Sequence, residues 1–583
     1  MKGERVKFLA LLLLYVLIAT FSYQAFSTRD PFFYTPTVDE MTNLWVADQL
    51  LHQNLPPQTF WQEPLAFFYY MLLLALGISS PVAIKFVHLF VINPAIILLL
   101  YLLARSIKPR LALLAAALYA LSPLAMFMSV SLMKTLPAIL LVLLMLYGFR
   151  LFYVRPEKKR YALFFAVSWF LSWVICQHVL LFLPPLFAAV AHRCEKKNRL
   201  GQNNLLAVAT LLLAGIVAAL SFASVVCRRP LLTLTTNGEM NFILANSQNV
   251  RKTMAIWPGP EWQYFSNLLQ YQIAPSAESQ ISTRLPDSVP GWLSLLAKKI
   301  FWEFTPHAYF RQSSWENASR VFPPLRIHAL FTMVLILLVF AATLGWRSHG
   351  ILLRSLIACW WLYHAVNIVF IPGIARYNAI ILPLTVLLAL SGLTVFAFRP
   401  RQLILIPCLC LWFSHPPNGF GREYAAFMKL SLDLATGTSV TDISVPEKTI
   451  HMADYRQLRA AWLLEHKRHA EAEALLMQTA AWPYYGLEYC QLLAAAQARQ
   501  RLYFDALGTA VQCVNWPEKD YPGYVKLVID RMGEMLAAYR SHGRLTPGKL
   551  AAVSSLISSL ADRYPDRLSL KKAIQVLHDY GGS

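Results

Sequence analysis

Long apolar runs recur along roughly the first 415 residues of this 583-residue chain. Apolar residues make up 57% of the sequence and charged residues only 14%, whereas a water-soluble protein of this length needs much more polar surface. Many of the runs are long enough to cross a bilayer as an α-helix, which satisfies its backbone hydrogen bonds internally. The sequence therefore predicts an all-α, polytopic membrane protein.

The basic residues indicate which loops face the cytoplasm. The net charge is +21, which alone would suggest a nucleic-acid partner. The Lys and Arg residues instead cluster in short loops between apolar runs, as cytoplasmic loops do. The clusters lie at 2–7, 105–110, 150–160, 192–199, 347–354 and 399–401. We therefore expect no nucleic-acid partner.

Eleven membrane spans fit between these clusters. They are predicted at 8–26, 83–104, 111–128, 133–150, 161–176, 178–191, 204–226, 327–346, 351–370, 377–397 and 402–415. The segments 161–176 and 178–191 are short and can also form a hairpin that does not fully cross. The first span lacks a small-residue cleavage site and is expected to stay uncleaved, with its N-terminus in the cytoplasm. An odd number of spans then puts the C-terminus outside.

This topology leaves two long external loops, at 27–82 and 227–326. The first loop is acidic and ends in the aromatic segment "EPLAFFYYMLLLALG". That segment is too short for a confident span, and a helix lying in the membrane interface explains its aromatics. The second loop is rich in Trp, Pro and Asn.

The tail repeats itself with a period of 34 residues, because 455–483 aligns with 489–517. Tyr455 matches Tyr489, and Trp482-Pro483 matches Trp516-Pro517. This period is the length of a tetratricopeptide helix–turn–helix unit. We therefore predict three regions: a membrane domain at 1–415, a linker at 416–450 and a tetratricopeptide-like domain at 451–583. Such a stack either binds a partner or caps the membrane domain.

Two adjacent carboxylates, Asp39 and Glu40, follow the first span in "TPTVDEMTNLW". A helix that begins near Thr37 explains them simply, because acids in the first turn of a helix are favoured by its dipole. Taken alone, the pair indicates no more than a helix start.

Further segments follow the acid pair in the order found in a known family. They are "QEPLAFFYYMLLLALG", "AIKFVHLF", "LLAAALYALSPLAMFMSVSLMKTLPAILLVLLMLYGFRL", "TNGEMNFILANSQN", "WLSLLAKKIFWEF" and "IPGIARYNAIILPLTVLLALSGL". Through these segments, residues 1–415 resemble the membrane-embedded GT-C glycosyltransferases. They are most similar to the bacterial relatives of protein O-mannosyltransferases and of lipid A aminoarabinose transferases. The tail lies outside the resemblance.

The resemblance implies an inverting glycosyltransferase of the bacterial inner membrane, with a periplasmic tail. Its donor is a polyprenyl-phosphate sugar in the bilayer. One carboxylate deprotonates the acceptor hydroxyl, and cations stabilise the departing phosphate. Asp39 is the candidate base, and Glu40 supports it. The candidates for the donor phosphate are Arg376, Lys85 and Lys134, and those for the acceptor side are Glu63 and Asn241.

One departure from the family lies before the fourth span. Many relatives carry an acid there as Thr-Glu-Pro, whereas this chain has Leu136 between Thr135 and Pro137, after Lys134. A second acid helps metal-using members to hold the ion. The sequence therefore does not support a divalent metal, and no other cofactor is predicted. The missing acid leaves loss of activity open, and Lys134 would bind phosphate instead.

Two other functions stay open at this point. A transporter or flippase often has inverted repeats and broken helices at mid-membrane, but we find no such repeat. A non-catalytic assembly protein would keep a degenerate site and recruit a protein or glycan-assembly partner through the tail. Four polar residues stand in apolar runs, where they indicate either function or helix–helix hydrogen bonds. They are Gln177, His178, His364 and Asn367.

Overall fold

A computed structural model describes most of the membrane domain and part of the tail. The described residues are 2–30, 33–34, 39–53, 63–194, 199–227, 233–235, 241–242, 245–246, 285–304, 315–370, 375–395, 452–477, 487–500, 502, 505, 509, 555 and 558. They are mainly helical and include no strand, which confirms the all-α class. The predicted linker at 416–450 and the predicted span at 402–415 lie outside them.

Contacts divide the chain into two units. The first comprises Met1–Ile256 and Leu285–Gly421, and the second Trp257–Arg284 and Arg422–Ser583. The α-helices described in the first unit are α1 (Lys2–Arg29), α2 (Asp39–Leu51), α3 (Pro64–Ala75), α4 (Pro81–Val87), α5 (Asn93–Ile107), α6 (Ala112–Ala120), α7 (Pro123–Ser129), α8 (Thr135–Val154), α9 (Lys159–Ile175), α10 (Leu183–Cys194), α11 (Arg199–Cys227), α12 (Val289–Glu303), α13 (Trp315–Val321), α14 (His328–Leu344), α15 (Ile351–Phe370), α16 (Ala375–Ile380) and α17 (Leu382–Val395). A π-helical turn, His88–Ile92, joins α4 to α5.

Six helical segments among the described residues are long and apolar enough to cross a membrane. They are Gly3–Arg29, Pro81–Ile107, Thr135–Val154, Arg199–Val226, Pro323–Leu344 and Ile351–Phe370. A seventh candidate is the pair Pro109–Ala120 and Pro123–Ser129, which is bent by 55°.

The predicted count of eleven spans is not confirmed. In place of the predicted spans at 161–176 and 178–191, the structure has α9 with 17 residues and α10 with 12. A 3₁₀ turn, Gln177–Phe182, lies between these two helices. Helix α17, in the predicted span at 377–397, has only 14 residues. These helices fall short of the roughly 20 residues that a straight span needs.

The surface of α11 is that of a lipid-facing helix. Only 11% of its most apolar window is buried, although the mean hydropathy of that window is 2.5. Leu206, Leu213, Val217 and Phe222 are all more than half exposed. In water such a face would be unfavourable, whereas in lipid it loses nothing. The composition and exposure of α11 therefore agree with a membrane span.

Asn93 joins four helical segments inside the first unit. Its side-chain amide donates to Tyr15 Oη at 2.9 Å and to Ser129 Oγ at 2.8 Å. Its Oδ1 accepts from Tyr119 at 3.1 Å. Buried polar groups are costly unless they are bonded in this way. The side chain of Asn93 thus fixes α1, α6 and α7 around the start of α5.

The sequence shows why α4, α7 and α12 begin where they do. Ser80 and Ser122 precede Pro81 and Pro123, and the Oγ of each serine accepts a backbone N–H three residues on. Ser288 caps α12 in the same way at Gly291, with a proline at the second helical position. Serine is a favoured N-cap, and proline needs no hydrogen-bond acceptor in the first turn.

Three further helices are described in the second unit. They are α18 (Met452–Glu465), α19 (His469–Met477) and α20 (Leu487–Arg499). Arg499 donates to the carbonyl of Leu464 at 2.8 Å, and Gln497 donates to Glu473 at 3.2 Å. Both contacts hold α20 against the first two helices. Most of the second predicted repeat lies outside the described residues, and the repeat stays a prediction.

Candidate substrate site

The loop at 130–134, between α7 and α8, is hydrogen-bonded to two helical segments that are distant in sequence. Glu40 Oε1 accepts the backbone N–H of Leu132 at 2.9 Å. Asn43 donates to the carbonyl of Leu132 at 3.2 Å. The Nδ1 atom of His88 lies 3.1 Å from the carbonyl oxygen of Ser131. The loop is therefore fixed by polar bonds from α2 and from the π-helical turn.

The acid pair is placed only in part. Asp39 is the first residue of α2, but its side chain lies outside the described residues. Glu40 is 5% exposed, and its bond to Leu132 holds α2 against the loop at 130–134. The assignment of Asp39 as the base stays a prediction.

Glu63 and Lys134 form a buried ion pair, although the sequence suggested different roles for them. The side chains are 14% and 8% exposed. Glu63 precedes the first turn of α3, and Lys134 occupies the N-cap of α8. Burial, the largest single effect, lowers the pKa of Lys134, but the charge and hydrogen bond of Glu63 together with Tyr377 and Cys176 outweigh it, so the net pKa is raised above 10.5. Lys134 is therefore protonated at neutral pH.

Two of the predicted phosphate-binding cations meet at the ring of Tyr377. Lys134 Nζ lies 6.0 Å from the ring centroid, and the guanidinium of Arg376 lies 5.0 Å from it. Arg376 also donates to the hydroxyl of Tyr377 at 3.3 Å. An aromatic face attracts cations. The Tyr377 ring thus assembles positive charge from α8 and α16, beside the carboxylate of Glu63.

The third predicted cation, Lys85, has different neighbours. It is 2% exposed and donates to the carbonyl oxygen of Phe33 at 2.7 Å. Its ammonium also lies 4.7 Å from the centroid of the Phe33 ring. Its ammonium interacts electrostatically with the carboxylates of Glu40 and Asp30. These contacts place Lys85 beside the acidic first loop.

Asn241, the second acceptor-side candidate, is buried in the segment before α12. Its neighbour Phe242 packs against Trp292 and Phe370, with ring centroids 6.4 and 5.6 Å apart. Asn246, in the same segment, accepts from Lys299 at 2.9 Å. These contacts place the segment against α12 and the end of α15.

A second carboxylate cluster was missed at the sequence level. Glu303, at the end of α12, is 1% exposed. Its Oε1 lies 2.7 Å from His364 Nδ1 and accepts from Asn367 at 3.0 Å. His364 and Asn367 stand out in the sequence as polar residues within an apolar run. Their acidic partner Glu303 does not. One feature of the sequence could have indicated it. Glu303 stands four residues after Lys299, so the two side chains lie on the same face of α12, and the structure buries both of them.

Lys299 is the charged neighbour of Glu303 on this helix. It is buried, and it donates to the carbonyl of Val369 at 2.8 Å as well as to Asn246. Burial lowers the pKa of Lys299 to about 7, and the charge of Glu303 only partly offsets this effect. Lys299 therefore loses its proton at a much lower pH than an exposed lysine does.

His178 contacts residues of both groups described above, the one around the Tyr377 ring and the one on α15 that surrounds Glu303. Its ring stacks on Tyr377 with centroids 6.0 Å apart and meets the edge of Tyr363 at 5.4 Å. Tyr363 in turn donates to the carbonyl of Tyr377 at 2.9 Å. Within the described part of the chain, His178 Nδ1 is buried without a hydrogen-bond partner. A polar atom in this position is available to a ligand or to water.

Two acids of the site, Glu40 and Glu63, bond to other groups of the protein. Among the described residues, no three His, Cys, Asp or Glu side chains converge as metal ligands. The carboxylates of Glu40 and Glu63 bond instead to a backbone N–H and to a lysine.

Known proteins offer no template for this site. Comparison of the chain with protein-family models, with curated proteins and with solved structures finds no match. The contacts of the site itself indicate its chemistry. These are two cations on one aromatic ring, a carboxylate paired with one of them, and an adjoining histidine. The arrangement suits an anionic ligand, because Arg and Lys donate strong hydrogen bonds to phosphate oxygens.

Proposed function

We propose that the chain is a membrane-embedded inverting glycosyltransferase. It transfers a sugar from a polyprenyl-phosphate donor to an acceptor hydroxyl at the external face of the membrane. The observation that carries the proposal is the convergence of Lys134 and Arg376 on the Tyr377 ring, with Glu63 beside Lys134. The resemblance to GT-C enzymes supplies the substrate class.

In the proposed reaction, the acceptor oxygen bonds to the anomeric carbon as the bond from that carbon to the phosphate oxygen breaks. The acceptor proton passes to the carboxylate of Asp39. The electron pair of the broken bond stays on the polyprenyl phosphate. Arg376 and Lys134 stabilise the charge that develops there. In the absence of donor, Glu63 neutralises Lys134 and holds it in place.

The proposal also fixes an orientation. The N-terminus is cytoplasmic, and the site and the tail are periplasmic, in a bacterial inner membrane. A periplasmic tail of tetratricopeptide-like helices would bind a protein or a glycan-assembly partner.

One observation favours a second candidate, a non-catalytic assembly protein. Leu136 occupies the position of the family acid and is fully buried. A buried leucine supplies no charge to a reaction centre. In this alternative the donor still binds at Lys134 and Arg376, but no sugar is transferred.

The test is sugar transfer by purified protein in liposomes, with a panel of polyprenyl-phosphate sugars. The variants are Asp39→Asn and Arg376→Gln, and the matched control is Arg347→Gln at an exposed turn. We expect Asp39→Asn and Arg376→Gln to lower the rate by about 100-fold or more, because each removes a group that acts in the transition state.

The control should transfer at the parent rate. A parent that binds a donor but transfers nothing would favour the assembly protein. A parent rate in Asp39→Asn would move the base to another residue.

A further inference from the structure

The short helix α16 carries both Arg376 and Tyr377, and it has only six residues. A helix of this length is not stable by itself, because few of its backbone groups are paired internally. Its position is therefore set by the residues that contact it. The question is which contacts hold Arg376 at the site.

Two side chains of α15 bond directly to α16. The hydroxyl of Tyr363 donates to the carbonyl of Tyr377 at 2.9 Å. The amide of Asn367 donates to Asn378 Oδ1 at 3.2 Å. The amide of Asn378 also approaches the carbonyl oxygen of Glu303 at 3.5 Å. The face of α16 that carries Asn378 is thus tied to α15 and to the end of α12.

The Glu303 carboxylate controls this arrangement through Asn367. An ionised carboxylate only accepts hydrogen bonds, so it must face donors. The Glu303 carboxylate accepts a hydrogen bond from the Asn367 amide at 3.0 Å, and His364 Nδ1 lies 2.7 Å from the same oxygen. The bond fixes which end of the Asn367 side chain points towards α16. The same nitrogen then donates its other hydrogen to Asn378.

An apolar residue would fill the place of Glu303 without the cost of burying a charge. Buried hydrogen bonds, however, are directional, and they orient the side chains that they join more strictly than apolar packing does. The nearest titratable side chains to the carboxylate are Lys299, on its own helix, and His364, on α15. The carboxylate is joined to α16 through the Asn367 amide, which bonds to both Glu303 and Asn378.

We propose that Glu303 is a positioning residue that places Arg376 and Tyr377 for the donor phosphate, acting through Asn367 and Asn378. The phosphate in this statement rests on the proposed function, whereas the link from Glu303 to α16 rests on the contacts alone. Glu303 does not touch the substrate. Its removal shifts α16 and thereby the guanidinium of Arg376.

The test uses the full-length protein in detergent and two readouts. The first is hydrogen–deuterium exchange of a peptide that covers α16, with a peptide of α8 as the internal reference. The second is the affinity for farnesyl phosphate, a short polyprenyl phosphate. The variants are Glu303→Ala, Glu303→Gln and Asn367→Ala, and the control is Lys298→Ala, at an exposed position of the same helix.

We expect Glu303→Ala and Asn367→Ala to speed exchange in α16 about tenfold or more, with the α8 peptide unchanged. Glu303→Gln keeps an oxygen for Asn367 and should restore most of the protection. Lys298→Ala should match the parent. If Glu303→Ala does not fold, Asn367→Ala still interrupts the same route, and Glu303→Gln still serves as its conservative control.

The affinity readout separates positioning from general loss of structure. Glu303→Ala should weaken farnesyl phosphate binding about tenfold when it is the only change. In an Arg376→Gln background it should have almost no effect, because both changes act on the contact between Arg376 and the phosphate. Equal weakening in both backgrounds, or parent exchange in α16, would overturn the proposal for Glu303. A parent that does not bind farnesyl phosphate would overturn the donor site itself, and exchange would still decide whether Glu303 holds α16.

Discussion

The Glu40 carboxylate accepts a hydrogen bond from the backbone N–H of Leu132 at 2.9 Å, across 92 positions of sequence. The bond joins the first turn of α2 to the loop that leads into α8. Asn43, one helical turn further on, bonds to the carbonyl of the same residue. Both backbone polar groups of Leu132 are thus satisfied by α2, and the loop that carries Lys134 depends on this helix.

We expect Glu40→Ala to lower the free energy of unfolding by about 1–3 kcal/mol, because the buried N–H of Leu132 loses its acceptor. Glu40→Gln keeps a side-chain oxygen there and should cost less. The measurement is unfolding by denaturant in detergent micelles. Asp48→Ala is the matched control, because Asp48 lies on the same helix with 53% of its side chain exposed. Equal stability of Glu40→Ala and this control would contradict the structural role.

The pairing of Glu63 with Lys134 could not be predicted from the sequence. Glu63 and Lys134 were candidates for opposite sides of the reaction, yet they form one ion pair across 71 positions. Periodicity and charge patterns describe neighbours along one helix. They carry no information about which loop of the bundle meets which other loop, and so the pair could not be predicted.

Glu303 shows a second limit. Its segment "WLSLLAKKIFWEF" was interpreted by its aromatic and basic residues, and an acid at the end of an amphipathic helix is usually exposed. Only tertiary packing against α15 makes this acid the partner of His364. The predicted all-α class needed no such information, because long apolar runs can satisfy their backbone in lipid only as helices. Helix lengths were less predictable. Helix α9 ends before the 3₁₀ turn at Gln177–Phe182, and α10 begins after it.

The Lys134 and Glu63 pair leads to a prediction about single and double variants. Glu63→Gln leaves a buried ammonium without its counter-charge and should destabilise the protein by about 3–5 kcal/mol. The double variant Glu63→Gln with Lys134→Met removes both charges and should recover most of that loss. Denaturant unfolding of the four proteins gives the coupling energy. Additive effects of the two changes would show that the pair is not coupled.

The pH dependence of this pair follows from the raised pKa of Lys134. A lysine whose pKa is raised in the folded state adds stability below its unfolded value of 10.5 and loses it as the pH rises through the folded value. We therefore expect the stability difference between parent and Lys134→Met to stay constant between pH 7 and pH 9. A difference that falls within this range would contradict the raised pKa.

Lys299 should behave in the opposite way. Its pKa is lowered from 10.5 to about 7, so the unfolded chain binds more protons than the folded protein between these values. Stability should then rise with pH across this window, by at most about 1.4 kcal/mol per unit. Lys299→Met should abolish the rise, whereas Lys298→Met, at the exposed neighbouring position, should keep it. Unfolding measured from pH 6 to pH 9 tests this, and an unchanged slope in Lys299→Met would refute the assignment.

Helices α14 and α17 pack closely against each other at Gly392 of α17. A Cβ atom built on Gly392 would overlap the carbonyl of Leu338 in α14 and would lie 3.2 Å from the backbone nitrogen of Ala342. Backbone atoms cannot move aside as a flexible side chain can. Alanine would otherwise favour an exposed helix by about 1 kcal/mol relative to glycine. Here the overlap forces α14 and α17 apart and outweighs that gain.

We therefore expect Gly392→Ala to lower the free energy of unfolding by about 1–3 kcal/mol, the usual cost of overpacking. Gly350→Ala is the control, because nothing lies within 4 Å of a Cβ at that position. The control should stay within about 0.5 kcal/mol of the parent, as surface changes do. Denaturant unfolding of both variants in the same detergent makes the comparison. A stabilised Gly392→Ala would mean that helix propensity dominates and that α14 and α17 pack less closely than described.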